Sequence, residues 1–227
     1  MPSAGGRTQP KRRKPLSRGD LLAVALRLVD REGADALTMR RLGRELGVAA
    51  MSLYNHIGSR EELLDGLSEV MVAEIGAGEA DSPRAVVEQF IQGIRSVALA
   101  HPDAFRLVGM RPLKTPEAYE PVEATLGALR ALGFEDDEAA HAYRVLTAYA
   151  RGFALAEIEG FTFEAADGAV GAVRPSELSA ERFPNVVALA PHLARLDRDP
   201  AFEYGSRAVL AGLESAATKR AGQAPPS

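Results

Sequence analysis

Apolar residues recur at intervals of three or four along most of the chain, which is the spacing of amphipathic α-helices. The first such set starts at Leu21 and Leu22, directly after a capping box of Ser17 and Asp20, and ends near Gly33. No segment shows the clear apolar–polar alternation of a β-strand. The pattern therefore predicts an all-α fold of about nine or ten helices.

Two short helices are predicted next. Thr38 has a side chain suited to an N-cap, and Gly47 stands where a helix can end in the left-handed conformation. A third helix begins about three residues later, with Leu53 and Ile57 on its apolar side. Two short helices joined by a tight turn and flanked by longer ones have the layout of a helix-turn-helix, which we predict over residues 16–62.

A second capping box, from Ser59 to Glu62, opens an amphipathic helix predicted over residues 59–75. This helix joins the helix-turn-helix to a second predicted domain at residues 63–218. In that domain, apolar periodicity and the positions of proline and glycine predict further helices. They extend from Pro83 to about His101 and over about residues 103–110, 116–132, 136–159 and 200–216.

Residue types also predict where the last helices begin and where the chain is irregular. Asp136 or Asp137 is the expected N-cap of the long helix, and Asp199 is the expected N-cap of the last one. Residues 160–175 contain three glycines and a proline without a clean period, which predicts a loop. Two prolines are expected to fragment the segment that follows, Pro184 and Pro191.

The composition is that of an ordinary globular chain, with 46% hydrophobic residues among 227 and a net charge of −4. No apolar run approaches the roughly 20 residues that cross a bilayer, and no signal peptide is recognisable, so a cytoplasmic protein is expected. The absence of cysteine excludes disulfides and thiolate chemistry. Because the four histidines are scattered, we expect neither a metal site nor a cofactor.

Charge is unevenly distributed along the chain. Residues 1–60 hold 12 basic and 5 acidic residues, so the acidic excess belongs to the remainder. Residues 1–15 are predicted to form a disordered basic arm, and residues 219–227 a disordered tail. The arm has two interpretations: a solvated tail, or a segment that contacts phosphates or the minor groove of DNA. Either way, only the front of the chain favours a polyanion.

The third helix is predicted to turn varied polar side chains away from the core. Asn55 can bond adenine through two hydrogen bonds, Tyr54 can donate to a phosphate, and Met51 can contact a thymine methyl group. Nearby arginines can bind phosphates on either side of a major groove. The side chains predicted to face DNA are Ala50, Met51, Ser52, Tyr54, Asn55 and His56, and the arginines around them are Arg40, Arg41, Arg44 and Arg60.

These segments resemble the DNA-binding domain of the TetR family of transcriptional regulators. The matching residues are 37–48, 52–57 and 59–64, and their spacing is preserved without gaps. One departure is Ala49, because many family members have Ser or Thr at this cap position. The resemblance implies phosphate or base contacts for Thr38, Arg40, Ala50, Met51, Ser52, Tyr54, Asn55, His56 and Arg60.

Residues 101–112 and 119–134 resemble, more weakly, the regulatory domain of Tet repressors. This resemblance implies a pocket for a small-molecule inducer. No histidine lies between His56 and His101, so a tetracycline–magnesium complex is not the expected ligand. The predicted ligand-binding residues are Phe90, Ile94, His101, Phe105, Met110, Tyr119, Tyr143, Thr147 and Arg151.

The resemblance also implies a homodimer that binds a palindromic operator. In it, the third predicted helix of each chain, the reader helix, lies about one DNA turn from that of its partner. The helices predicted over 136–159 and 200–216 would pair with those of the partner as a four-helix bundle. Three small residues in the last helix would permit close approach: Gly205, Ala208 and Gly212.

Two other functions are alternatives to a ligand-released repressor. An enzyme is not expected, because the Glu138–His141 spacing of a di-iron bundle occurs only once and no P-loop or nucleophile elbow is present. No catalytic residue is therefore predicted. A DNA-binding nucleoid or scaffold protein without an inducer remains the alternative, and both DNA-binding functions place the protein at the nucleoid.

Overall fold

The computed structural model describes residues 16–76, 80–160, 177–193 and 198–221. The predicted basic arm, nearly all of the predicted loop at 160–175 and the end of the predicted tail lie outside these residues. The described residues form α-helices and short 3-10 turns without any β-strand, which confirms the all-α prediction.

Four helices form the N-terminal part of the molecule. The caps that were predicted for the first two are present. Ser17 Oγ accepts the N–H of Asp20 over 3.1 Å, and Thr38 Oγ1 accepts the N–H of Arg41 over 3.2 Å. The four are α1 (Arg18–Glu32), α2 (Met39–Leu46), α3 (Ala50–Leu53) and α4 (Arg60–Ile75).

The other described helices form the C-terminal part around one central helix. They are α5 (Pro83–Ala100), α6 (Pro102–Val108), α7 (Glu120–Ala131), α8 (Asp136–Glu159), α9 (Pro184–Leu193) and α10 (Arg198–Ala221). The central helix is α5, which packs against α4, α7 and α8, while α8 also packs against α10. Val87, Ile91 and Ile94 form the buried stripe of α5 that its apolar spacing predicts.

The N-cap of α8 is Glu135, which corrects the prediction of Asp136 or Asp137. Glu135 has the extended backbone of a cap, with φ −65° and ψ 162°, and its N–H donates to the Glu138 carboxylate over 3.4 Å. The two aspartates therefore lie in the first helical turn, where their charges favour the positive end of the helix dipole.

Two further predictions about helix ends are wrong. Asp199 is not a cap but lies inside α10, and its carboxylate accepts a hydrogen bond of 2.6 Å from the buried Arg95. Pro184 and Pro191 do not fragment their segment, because both belong to α9. Pro184 is the first helical residue, where a missing N–H costs nothing, and Pro191 is near the end, where few bonds are lost.

A buried ion pair joins three helices of the C-terminal part. The Arg95 guanidinium on α5 donates to both carboxylate oxygens of Glu157 on α8, each over 2.7 Å, and also to Asp199 on α10. The Phe202 ring of α10 lies 5.0 Å from the same guanidinium. These hydrogen bonds outweigh the effect of burial and raise the pKa of Arg95, so α5, α8 and α10 share one charged contact.

Gly205 contributes to packing within this chain. The Tyr149 hydroxyl of α8 donates to the carbonyl of Phe202 over 2.9 Å, and it lies where a side chain at position 205 would begin. Nothing lies within 4 Å of the corresponding point at Gly212 among the described residues. Of these two glycines, Gly205 therefore accommodates the chain's own Tyr149, and only Gly212 has its surface open.

Candidate DNA-binding surface and ligand cavity

The turn between α2 and α3 depends on two glycines. Gly47 has φ 67° and ψ 33°, the left-handed conformation that was predicted for it. Gly43, inside α2, lies so close to the turn that a Cβ there would be 2.9 Å from the carbonyl oxygen of Val48. The N–H of Val48 donates to the carbonyl of Gly43 over 2.9 Å, so the backbones of α2 and the turn are in direct contact. The sequence reasoning did not identify Gly43, although a glycine inside a helix is a signal of close approach.

The helix α3 is short, and its two faces differ as predicted. Leu53 and Ile57 are fully buried, whereas Met51 is 75% exposed and Tyr54 is 43% exposed. Ala49 has an extended backbone and makes no side-chain cap, and the α-helical residues that follow end at Leu53. Among the other residues predicted to face DNA, Thr38, Arg40, Ser52, Asn55 and Arg60 are exposed, and Ala50 and His56 are half-buried.

The arginines around α3 fall into two groups. Arg41 donates to Glu32 on α1 and over 2.7 Å to Glu45 on α2, and Arg31 also pairs with both carboxylates. The hydrogen bonds from Arg41, followed by those from Arg31, lower the pKa of Glu32 to about 2. Arg41 is thus already neutralised by acidic partners. In the part of the chain that the structure describes, no ion pair involves Arg40, Arg44 or Arg60.

The start of α4 holds the end of the segment from Ala50 to Ile57, which we call the reader segment. Ser59 Oγ accepts the N–H of Glu62 over 3.1 Å, as a cap does. The Glu62 carboxylate reaches back one residue further than in a capping box and accepts the N–H of Gly58 over 2.7 Å. The first turn of α4 is therefore tied directly to the residue that follows Ile57.

The middle of α4 is bound to the loop after α6. The buried carboxylate of Asp65 accepts hydrogen bonds from Lys114 over 2.6 Å and from Arg111 over 2.7 Å. Arg111 also donates to Glu61 over 2.8 Å, one turn earlier on α4. The hydrogen bonds from Lys114 and Arg111, followed by the charges of the same two residues, lower the pKa of Asp65 despite its burial. An ionised contact thus connects α4 to the C-terminal part.

His101 lies where the two parts of the molecule meet. Its Nδ1 is 2.9 Å from the carboxylate of Asp30 on α1, and its Nε2 is 2.9 Å from that of Glu74 on α4. Burial alone lowers the pKa of His101, but the hydrogen bonds and charges of these two carboxylates outweigh it and raise the pKa. This predicted ligand residue therefore bridges α1 and α4 through the start of α6.

A narrow cavity lies between α4, α5, α6 and α8. Its volume is about 20 Å³, room for roughly one water molecule. Its walls are mostly apolar. Ser68 supplies a hydroxyl group and Arg151 a positively charged guanidinium group. The lining residues are Ser68, Met71, Val72, Ile75, Ile94, Val97, Phe105, Val108, Gly109 and Arg151.

The predicted ligand residues fall into three places. Ile94, Phe105 and Arg151 line the cavity. Phe90, Tyr143 and Thr147 lie outside its lining: the rings of Phe90 and Tyr143 pack against each other with centroids 5.8 Å apart, and Thr147 is buried on α8 one turn before Arg151. The last three do not line it either: His101 is at the domain junction, and Met110 and Tyr119 are 66% and 52% exposed.

The cavity wall formed by α4 was missed by the sequence reasoning. Ser68, Met71, Val72 and Ile75 were assigned to the helix that joins the two domains, not to a pocket. The signal in the sequence was a second apolar stripe on this helix. Leu63, Leu64 and Leu67 already form one buried stripe, so the further apolar residues Met71, Val72 and Ile75 indicated a second contact surface.

Two kinds of feature are absent from the described residues. None of the described helices is long and apolar enough to cross a membrane. No group of three or more potential metal-binding side chains occurs among the described residues.

The fold and these two sites define a class of protein: a transcriptional regulator with a DNA-binding helix-turn-helix and a helical ligand-binding domain. Residues 21–67 match the family model for bacterial regulatory proteins of the tetR family, and residues 76–217 match that of the tetracyclin repressor-like C-terminal domain. The tetracycline repressor protein class E of Escherichia coli is 30% identical over an alignment of 214 positions that covers 88% of this chain and 92% of that protein.

Solved structures agree with the sequence comparisons. The apo structure of ActR from Streptomyces coelicolor has a TM-score of 0.78 and 32% identity, covering 91% of this chain and 99% of ActR. ActR in complex with actinorhodin has a TM-score of 0.73 and 34% identity, covering 88% of this chain and 95% of that one. The chain belongs to the TetR family, whose repressors bind operator DNA as dimers and are released by ligands.

Proposed function

We propose that this chain represses transcription as a homodimer on a palindromic operator, and that a small molecule bound between α4, α5, α6 and α8 releases it. The observation that carries the proposal is the course of α4. This helix starts beside the reader segment at Arg60 and ends at Ile75, which lines the cavity. One rigid element therefore touches both sites.

The DNA-binding surface that we propose centres on α3 and the turn after it, within a domain of residues 16–62. Exposed Asn55 and Met51 are placed to read bases in the major groove, and Tyr54 to donate to a phosphate. Within the described ranges no ion pair engages the guanidinium groups of Arg40, Arg44 and Arg60, which leaves them available to phosphates. Arg41 must first exchange its carboxylate partners. We therefore assign Arg41 mainly to bracing α1 against α2.

Two copies of this surface are needed, because one short reader covers only a few base pairs. A dimer through α8 and α10 would set the two readers about 34 to 36 Å apart, one turn of DNA. The open surface around Gly212 lies on α10 and is suited to such a contact. The domain of residues 63–218 therefore has both a ligand-binding and a dimerisation role in this proposal.

Ligand binding is coupled to DNA release through the size of the cavity. At about 20 Å³ it cannot hold a metabolite unless α4 moves relative to α6 or α8. A ligand then favours a dimer in which the two α3 helices are no longer one DNA turn apart. A coupling free energy of about 1 to 3 kcal/mol between ligand binding and DNA binding is typical. The ligand complexes of ActR support a small organic molecule as the releasing agent.

We infer that the chain works in the cytoplasm at the nucleoid, where operator DNA is found, and that it has no catalytic step. A nucleoid or scaffold protein is the second candidate, favoured by the basic side chains around α3 that form no ion pair with any described residue. Thermal melting with small molecules separates the two, since a scaffold without an inducer is not stabilised by any of them.

A cavity-blocking variant tests the ligand site. In Val72→Phe, a larger side chain fills the α4 wall, so operator binding should persist while release needs at least about tenfold more of an active metabolite fraction. Fluorescence anisotropy of labelled operator DNA measures both. The matched control is Val70→Phe, because Val70 is on the same helix but lines an outer groove. Normal release from Val72→Phe would place the ligand elsewhere.

A further inference from the structure

Arg151 is an unusual arginine in the C-terminal domain. It is half-buried on α8 and lines the cavity, yet no carboxylate pairs with it among the residues that the structure describes. Two other arginines of this domain that are screened from solvent have acidic partners: Arg95 pairs with Glu157, and Arg84 with Glu214. Half-buried Arg198 on α10, whose Nε also has no hydrogen-bond partner among the described residues, does not line the cavity. A partly desolvated guanidinium without a counter-ion is costly, so this position favours an anion.

A second polar group without a partner lies beside it. Thr147 is one helical turn before Arg151, on the same face of α8, and is 8% exposed. No residue in the part of the chain that the structure describes forms a hydrogen bond with its buried Oγ1. A buried hydroxyl that bonds nothing loses the stabilisation that water gives it in the unfolded chain. The two side chains together offer a positive charge and an O–H donor from one helix.

The rest of the cavity is of the opposite character. Ser68 on α4 supplies the hydroxyl in its wall, Thr147 lies one helical turn from the wall residue Arg151, and the remaining lining side chains are aliphatic, thioether or aromatic. Two larger grooves, of about 400 and 410 Å³, lie on the outside of the molecule and contact neither Arg151 nor Thr147. The cavity between α4, α5, α6 and α8 therefore combines one cationic group with apolar walls, and the movement of α4 proposed above would make room there for an anionic group together with an apolar body.

We propose that the ligand is an amphipathic carboxylic acid whose carboxylate is bound by Arg151 and Thr147, and whose apolar body lies against Met71, Ile94 and Phe105. This assignment rests on the proposed function for the location of the ligand. A guanidinium and a carboxylate form charge-assisted hydrogen bonds, which discriminate strongly against a neutral analogue. Arg151 and Thr147 thus determine the charge of the ligand, and the apolar wall determines its shape.

Calorimetric titration of the full chain with two isosteric probes tests this assignment. The probes are 1-naphthaleneacetate and 1-naphthaleneacetamide, which share an aromatic body and differ in charge. The wild-type protein should bind the acetate at least about tenfold more tightly than the amide. In Arg151→Gln the two affinities should become similar, and Arg151→Lys should restore part of the preference.

The matched control is Arg144→Gln, which removes a positive charge from the exposed side of the same helix. It should keep the wild-type preference, and thermal melting checks that every variant is folded. The assignment is overturned if the wild-type protein binds neither probe, if it shows no preference, or if the preference survives in Arg151→Gln.

Operator release, measured in parallel, separates this assignment from the proposed function. Arg151-dependent binding of the acetate without DNA release supports the anion site and contradicts the release mechanism. Equal release by both probes that is lost in Val72→Phe has the opposite meaning: the cavity is the ligand site, and the assignment of Arg151 is overturned.

Discussion

At the scale of single residues, the reader segment has a side that is firmly packed into the core and an N-terminus that lacks a side-chain cap. Leu53 and Ile57 are fully buried, which fixes the direction in which Met51, Tyr54 and Asn55 point. Ala49 supplies no cap, which leaves an N–H group of the first turn to water or to DNA. The missing cap could be predicted from the sequence because capping depends on one side chain.

Asn55 is the residue at which base reading is most directly tested. Asn55→Ala should weaken specific operator binding by about 1 to 3 kcal/mol and leave nonspecific binding unchanged, because an adenine contact carries sequence information and a phosphate contact does not. Anisotropy titrations with operator and random DNA measure the two. Asn185→Ala, an exposed change on α9, is the control. Equal losses on both DNAs in Asn55→Ala would contradict base reading.

At the scale of secondary-structure elements, local signals were predictable and long-range contacts were not. The N-caps at Ser17, Thr38 and Ser59 depend on neighbours in sequence, so the sequence indicates them. The Asp65–Arg111 ion pair joins residues 46 positions apart, which no periodicity specifies. The prediction of Asp199 as a cap is wrong for the same reason: nothing near it in sequence indicates that Arg95 is its partner.

The contact between α2 and the turn before α3 gives a prediction about Gly43. Gly43→Ala should lower the free energy of unfolding and abolish operator binding, because the new Cβ would lie 2.9 Å from the Val48 carbonyl oxygen. The control is Gly127→Ala, since nothing lies within 4 Å of the corresponding point on α7. That change should be neutral or stabilise by about 0.5 to 1 kcal/mol. Urea denaturation measures both, and a harmless Gly43→Ala would rule out the close approach.

At the scale of the whole molecule, α4 and a few charged contacts join the two domains. Asp65 binds the loop after α6, and His101 connects α6 to both α1 and α4. The domain boundary near residue 62 was a sequence prediction, but the contacts across it depend on the folded arrangement. The placement of His101 at this junction, outside the cavity, therefore required the structure.

His101 makes the junction sensitive to pH. Its pKa is raised above 6.5 in the folded chain, so its contribution to stability is complete below about pH 6.5 and is lost as the pH rises through the raised value. The difference in unfolding free energy between wild type and His101→Gln should be largest below about pH 6.5 and should shrink as the pH rises through the raised pKa of His101. His192→Gln, an exposed change on α9, is the control. A difference that is independent of pH would show that the charge of His101 adds nothing.

The central claim is that a dimer reads a palindrome and that a small molecule ends this binding. Selection of genomic DNA fragments by the full chain, with and without a metabolite extract, tests both halves at once. The account predicts fragments that share a two-fold symmetric sequence, with half-sites about one DNA turn apart, and that are lost when the extract is added. Fragments without a shared symmetric sequence, or fragments retained equally with the extract, would contradict it.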